Sequence, residues 1–225
     1  MTMVIGARCS DGVVFVADRK SVAPMTWEIC MPASKLRMVH GLVVGLCGDR
    51  AINDRLCELL EERLKDITSL GEVLTQAEAV VTETYEKYKD SLGVLGEGRL
   101  TLALGGLENL SKGKAKLYSL VAGLPPEEVD YMGWGIGGRY AELGRSLFHS
   151  TDSSEEVWRA LVFLVTLVEK VNIGVGDGTD VVTLLDGIGA QIIGTDKATQ
   201  AFLKAQRLVQ QLPAFVKRQL VTSKR

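Results

Sequence analysis

The chain has 225 residues, 46% apolar and 24% charged, with a net charge of −2. This length and composition fit one folded domain spanning residues 1–225 and exclude a disordered chain. With no basic run longer than two residues, the last of them the tail pair Lys224-Arg225, there is no electrostatic footprint for nucleic acid. The longest apolar run, Ala160 to Val168, is too short to cross a membrane. Cys9, Cys30, Cys47 and Cys57 show no C-x-x-C spacing, and there are only two histidines, so no metal or cofactor is expected. Isolated thiols in a chain with no export signal point to a cytoplasmic protein.

The first elements are a hairpin, Met3 to Arg8 and Val13 to Ala17, turned at Ser10-Asp11-Gly12. A second hairpin, Leu36 to Val39 and Leu42 to Leu46, turns at His40-Gly41. Helical periodicity follows over Leu56 to Leu64 and Leu74 to Tyr88, the latter with Ala77, Val80, Val81, Thr84 and Tyr88 as its inner stripe. Strands return at Leu100 to Leu104, Ala115 to Val121 and Val129 to Gly133. Two helices come next, Tyr140 to Phe148 and Glu155 to Val171, and Ser153 with Glu156 forms a capping box for the second. Strands at Asp180 to Leu185 and Gln191 to Ile193, and a helix from Lys197 to Leu212 before Pro213, complete the order. Clusters of antiparallel strands alternating with helix pairs predict an α+β fold, with two sheets covered on their outer sides by helices.

Thr2 lies directly behind Met1. Trimming Met1 leaves one residue carrying both a hydroxyl and a free amine, a nucleophile and its own base. The motif G-x-G-x-x-G over Gly133 to Gly138 lacks a parallel βαβ context and carries Trp134 where a dinucleotide needs close backbone approach, so it is set aside. Asp177 and Asp180 are too few oxygen ligands for a cation and read as turn residues.

The gap-free stretch Thr2 to Arg19, with its Asp-Gly-Val-Val and Ala-Asp-Arg segments, together with Lys35 and Gly45-Leu46-Cys47-Gly48-Asp49, resembles the proteasome β-subunit family. Met132-Gly133-Trp134-Gly135 and Gly176 to Val181 resemble two of its glycine-rich loops. The resemblance implies an N-terminal-nucleophile hydrolase with a four-layer αββα sandwich. It also implies a role for each residue. Thr2 attacks the carbonyl, Lys35 tunes the amine and hydroxyl, Asp18 holds Lys35, and the Gly48 N–H serves as an oxyanion donor. Leu46 and Arg50 fall near positions that line the substrate side-chain pocket, an apolar wall with a cation at its rim. Gly133, Trp134, Gly135, Asn172, Val175 and Gly176 fall in the supporting loops. Trp134 stands where the family has a serine, and Asn172 and Val175 replace an aspartate and a serine.

The activity implied is hydrolysis of peptide bonds in a peptide or protein, by subunits assembled into a homo- or hetero-oligomeric ring. No cofactor, nucleic acid or membrane is involved. Two alternatives use the same sequence: a non-catalytic subunit of a proteasome-like assembly, and an N-terminal-threonine transpeptidase that passes the acyl group to an amine.

Overall fold

Strands near the N-terminus are apolar at consecutive positions, which requires cover on both faces of their sheet. The computed structural model, described for residues 3–22, 29–30, 33–94, 99–135, 138–170, 172 and 175–222, provides it. The elements run β1 (Met3–Cys9), β2 (Gly12–Asp18), β3 (Ser21–Val22), β4 (Ile29–Cys30), β5 (Leu36–Val39), β6 (Leu42–Leu46), α1 (Arg50–Leu64) and α2 (Leu70–Val94). There follow β7 (Thr101–Leu107), β8 (Ala115–Val121), β9 (Glu127–Glu128), β10 (Tyr131–Gly135), α3 (Gly138–Arg145), α4 (Ser154–Glu169), β11 (Thr179–Leu185), β12 (Gly189–Ile192) and α5 (Thr195–Thr222).

One antiparallel sheet has the order β10-β1-β2-β11-β12, and a second has β5-β6-β7-β8-β9. Alternation along β1 and β2 sorts their side chains between two cores. Val4, Val13, Phe15 and Ala17 pack against Val43, Ala103 and Leu117 between the sheets. Met3, Ile5, Val14 and Val16 pack outward against Leu161 and Val165 of α4 and Phe202 of α5. A third cluster lies under α1 and α2, where Leu56, Leu60, Ala77 and Val80 cover Val44, Leu102 and Leu104. The result is the four-layer αββα sandwich that the order of elements predicts. Each large aliphatic side chain so enclosed contributes roughly 1.5–3 kcal/mol.

Local signals account for the boundaries. His40 (φ 47°) and Gly41 (φ 80°) adopt the left-handed backbone that a tight hairpin turn demands. The Ser153–Glu156 capping box is formed in both directions. Helix α1 begins at Arg50, earlier than its apolar pattern suggests, because Asp49 caps it: its Oδ1 accepts from Ala51 N at 2.9 Å and Ile52 N at 3.1 Å. Helix α5 continues beyond Pro213, since a proline removes one backbone donor and need not end a helix. The short β3–β4 ribbon and β9 are too brief to leave a periodic signal.

Candidate active site

Asp18 is the last residue of β2, a strand flanked on both sides by partners, with Thr179 opposite it on β11 and Ala17 opposite Val4 on β1. This register brings its carboxylate to the start of the chain. Asp18 is completely buried and its two oxygens take four donors. Oδ1 accepts from Met3 N at 2.7 Å and Lys35 Nζ at 2.6 Å; Oδ2 accepts from Lys20 N at 3.1 Å and Gly176 N at 3.3 Å. The Lys35 ammonium also donates to the Lys20 carbonyl at 2.7 Å. Burial pushes the Asp18 carboxyl up and the Lys35 ammonium down from their ordinary values, and each charge opposes the shift of the other.

The backbone of Lys35 ties this pair to the other sheet, because its carbonyl accepts from Leu46 N at 2.9 Å. Two residues beyond Leu46, Gly48 adopts φ +103°, a conformation that favours glycine, just ahead of the Asp49 cap. Asp18, Lys35 and the end of β6 are therefore gathered at one end of the sandwich. Thr2 lies outside the described residues. It is joined through a single peptide bond to the Met3 nitrogen that Asp18 holds.

The remaining predicted residues divide. Gly176 reaches the pair directly: besides its N–H on Asp18, its carbonyl accepts from Arg19 N at 3.1 Å and Lys20 N at 2.9 Å. Gly135 (φ +71°) sits opposite Met3 in the β1–β10 register. Gly133 and Trp134 belong to β10 rather than to a loop. The Trp134 indole is buried between the sheets and its Nε1 donates to Ser119 Oγ at 3.3 Å, so it serves packing and not the site. Val175 is buried in the core beneath α4, and its N–H closes a turn onto the Asn172 carbonyl at 3.2 Å.

The substrate-pocket pair also separates. Leu46 is packed under α1 with Ile52 and Leu56. Arg50 is exposed and faces Asp54 at 3.7 Å, which in turn meets Arg37 at 3.4 Å. Two features escape the sequence reading, the Lys20 backbone and an ion pair of 3.2 Å between Arg19 and Asp180 beside the site. The signal for the pair was present in Ala17-Asp18-Arg19 and in the acid following Thr179. Among the described residues no cluster of histidine, cysteine or acidic side chains could hold a metal, and no helix is long and apolar enough to cross a membrane.

No protein-family model matches the chain, and no curated protein matches it in sequence. Solved structures do match in fold. Anbu (ancestral β-subunit) from Yersinia bercovieri superposes with a TM-score of 0.76 at 18% identity, over 96% of this chain and 97% of that one. An Anbu (Gly-1) mutant from Hyphomicrobium sp. strain MC1 gives 0.72 at 16% identity, over 95% and 97%. The Anbu complex from Pseudomonas aeruginosa, solved as a helical assembly, gives 0.73 at 17% identity, over 98% and 96%. At these identities the likeness is one of fold.

Proposed function

We propose that the chain is a proteasome-like threonine peptidase whose nucleophile is Thr2 after loss of Met1. The observation that carries this reading is the buried Lys35–Asp18 pair, with the Met3 N–H on the same carboxylate oxygen as the lysine. A structural ion pair would work equally well anywhere in the core. This one is fixed one residue from the chain's only threonine able to combine a hydroxyl with a free amine.

In the proposed reaction the Thr2 hydroxyl oxygen bonds to the substrate carbonyl carbon while its proton passes to the Thr2 amine. Lys35 lowers the cost of the alkoxide by its charge, and the Gly48 N–H stabilises the carbonyl oxyanion. Collapse breaks the C–N bond, and the amine returns its proton to the leaving nitrogen. Water then cleaves the ester and restores Thr2. Fold likeness to the Anbu structures, one of them a helical assembly, supports an assembled state for this chain too.

The test is intact mass after exposure to a peptide epoxyketone, which requires both a threonine hydroxyl and its free amine. Mass without Met1 plus one adduct, absent in Thr2→Ala, is the expected result. Loss of Met1 with no adduct overturns the peptidase and leaves a non-catalytic subunit. That second reading is favoured by the apolar Val175 and by Leu46 being closed under α1. Product analysis with an added amine peptide separates hydrolysis from transpeptidation.

A further inference from the structure

A threonine inside a helix commonly turns its hydroxyl back onto the carbonyl one turn earlier, and two in this chain do so. Thr75 Oγ1 donates to the Gly71 carbonyl at 3.1 Å, and Thr166 Oγ1 to the Val162 carbonyl at 2.8 Å. Thr84 of α2 does not. It is 2% exposed and its hydroxyl has no hydrogen-bond partner, which leaves a buried polar group unsatisfied. Thr84 also lines a cleft of about 200 Å³ between α1 and α2, together with Arg55, Leu59, Glu83, Lys87 and Tyr88. One water needs only about 10–15 Å³. The cleft shares no residue with the Lys35–Asp18 corner.

Spacing explains the lining. Arg55 and Leu59 stand four apart on α1, while Thr84, Lys87 and Tyr88 stand three and four apart on α2, so each set shares one helix face. Leu59 and Tyr88 pack against the core beneath the helices and give the cleft apolar walls. Two of its three charged side chains are already answered. Arg55 Nη1 donates to Glu58 at 2.8 Å, and the Glu83 carboxylate accepts from both Nη atoms of Arg63, at 3.0 and 2.5 Å. Glu62, close to both arginines, does not line the cleft. Lys87 differs. Its ammonium stands 5.3 Å from the centre of the Tyr88 ring, and among the described residues no carboxylate pairs with it.

We propose that this cleft binds a small organic monocarboxylate, with its head group on Lys87 and Thr84 and its apolar body against Leu59 and Tyr88. The Lys87 ammonium donates to one carboxylate oxygen, a charge-assisted bond. Thr84 donates to the other after rotation about χ1, between the two wells open to a threonine in a helix. An amine at the head group would be repelled by Lys87, and a second carboxylate would meet Glu83, whose acceptors Arg63 already fills. An inorganic anion would leave the walls of Leu59 and Tyr88 facing water.

The probe is para-fluorophenylacetate, followed by the width of its fluorine NMR resonance as the full chain is added. Its neutral counterpart of the same size is para-fluorophenylethanol. The acid is expected to broaden and saturate with a Kd of roughly millimolar, in keeping with a ligand this small. The alcohol, and the acid with Lys87→Met, should each bind about tenfold more weakly, as for loss of a hydrogen bond to a charged group. Thr84→Val should weaken the acid by about the same factor. In thermal melts without ligand this variant should be no less stable than wild type, since the hydroxyl it removes has no partner to lose. A hydroxyl with a merely structural role would give the opposite pair of results.

Absence of saturable broadening overturns the proposal and leaves the cleft to solvent. Equal binding of acid and alcohol overturns it too, as does wild-type affinity in Lys87→Met or Thr84→Val. Lys87 is exposed and its replacement keeps the apolar stem, so folding of that variant is not in question. The proposal stands apart from the peptidase reading. A chain that binds the acid but takes no epoxyketone adduct keeps this site and fails only as a peptidase.

Discussion

Replacing Lys35 with methionine keeps the apolar stem and removes the ammonium from a completely buried carboxylate. Breaking a buried pair from one side costs about 3–5 kcal/mol, because the charge left behind has lost its partner. Asp18 retains three backbone donors, from Met3, Lys20 and Gly176, which places the expected loss near the lower bound, about 3 kcal/mol. For a chain of this size that corresponds to a fall of roughly 6–12 °C in Tm. The pH dependence carries the mechanism. Without Lys35 only the backbone donors offset the burial that raises the Asp18 carboxyl, so the folded variant holds a proton that its unfolded chain releases. A group with more protons bound when folded loses stability as pH rises from its unfolded value through its folded one. The deficit of Lys35→Met is therefore largest at neutral pH and narrows toward pH 4. Thermal and urea melts of Lys35→Met, Asp18→Asn and the double variant across that range measure it. The double variant should lose less than the sum of the singles. A Lys35→Met protein within a degree of wild type at pH 7, or a deficit constant in pH, refutes the reasoning.

Two further outcomes follow from the same corner and from the thiols. Gly176→Ala is expected to destabilise by roughly 1–3 kcal/mol in urea melts, since φ is +142° and the new Cβ meets the Glu169 carboxylate. It should also loosen the donor on Asp18, so any epoxyketone labelling should slow in this variant. Burial pushes the Cys9 thiol up to about 12 and the Cys57 thiol up to about 11. Both should resist iodoacetamide at pH 8 in the native protein and react in urea, as peptide mapping would read. Native alkylation at either position would show that its strand or helix opens readily.

What could be read from the sequence was what the chain settles locally. The β1–β2 hairpin is set by a short turn, and its register alone brings Asp18 to the Met3 nitrogen. The cap on α4 and the inner stripe of α2 are equally local. Trp134 reads as a loop residue because glycines flank it, yet those glycines are strand residues, and the indole is accommodated by Gly6, whose Cβ would meet the ring at 3.2 Å. Gly176 approaches Asp18 across 158 residues of sequence, a contact that no spacing encodes.

Leu46 marks the limit most clearly. Strand β6 is buried at every position, so it has no polar face to say which side is which, and a shift of one residue exchanges the two sides. The structure settles the parity: Val44 and Leu46 face α1, whereas Val43 and Cys47 face the other sheet. Cys47 is thus the neighbour on the Lys35 side, and its charge when ionised acts on that lysine. On that face Val43 is closed in the core with Val4 and Phe15, which leaves Cys47, at the end of β6, as the residue beside the site. Substitution of Leu46 would act instead through the packing of α1. Changes in selectivity at Cys47 and changes in stability at Leu46 are what this parity requires.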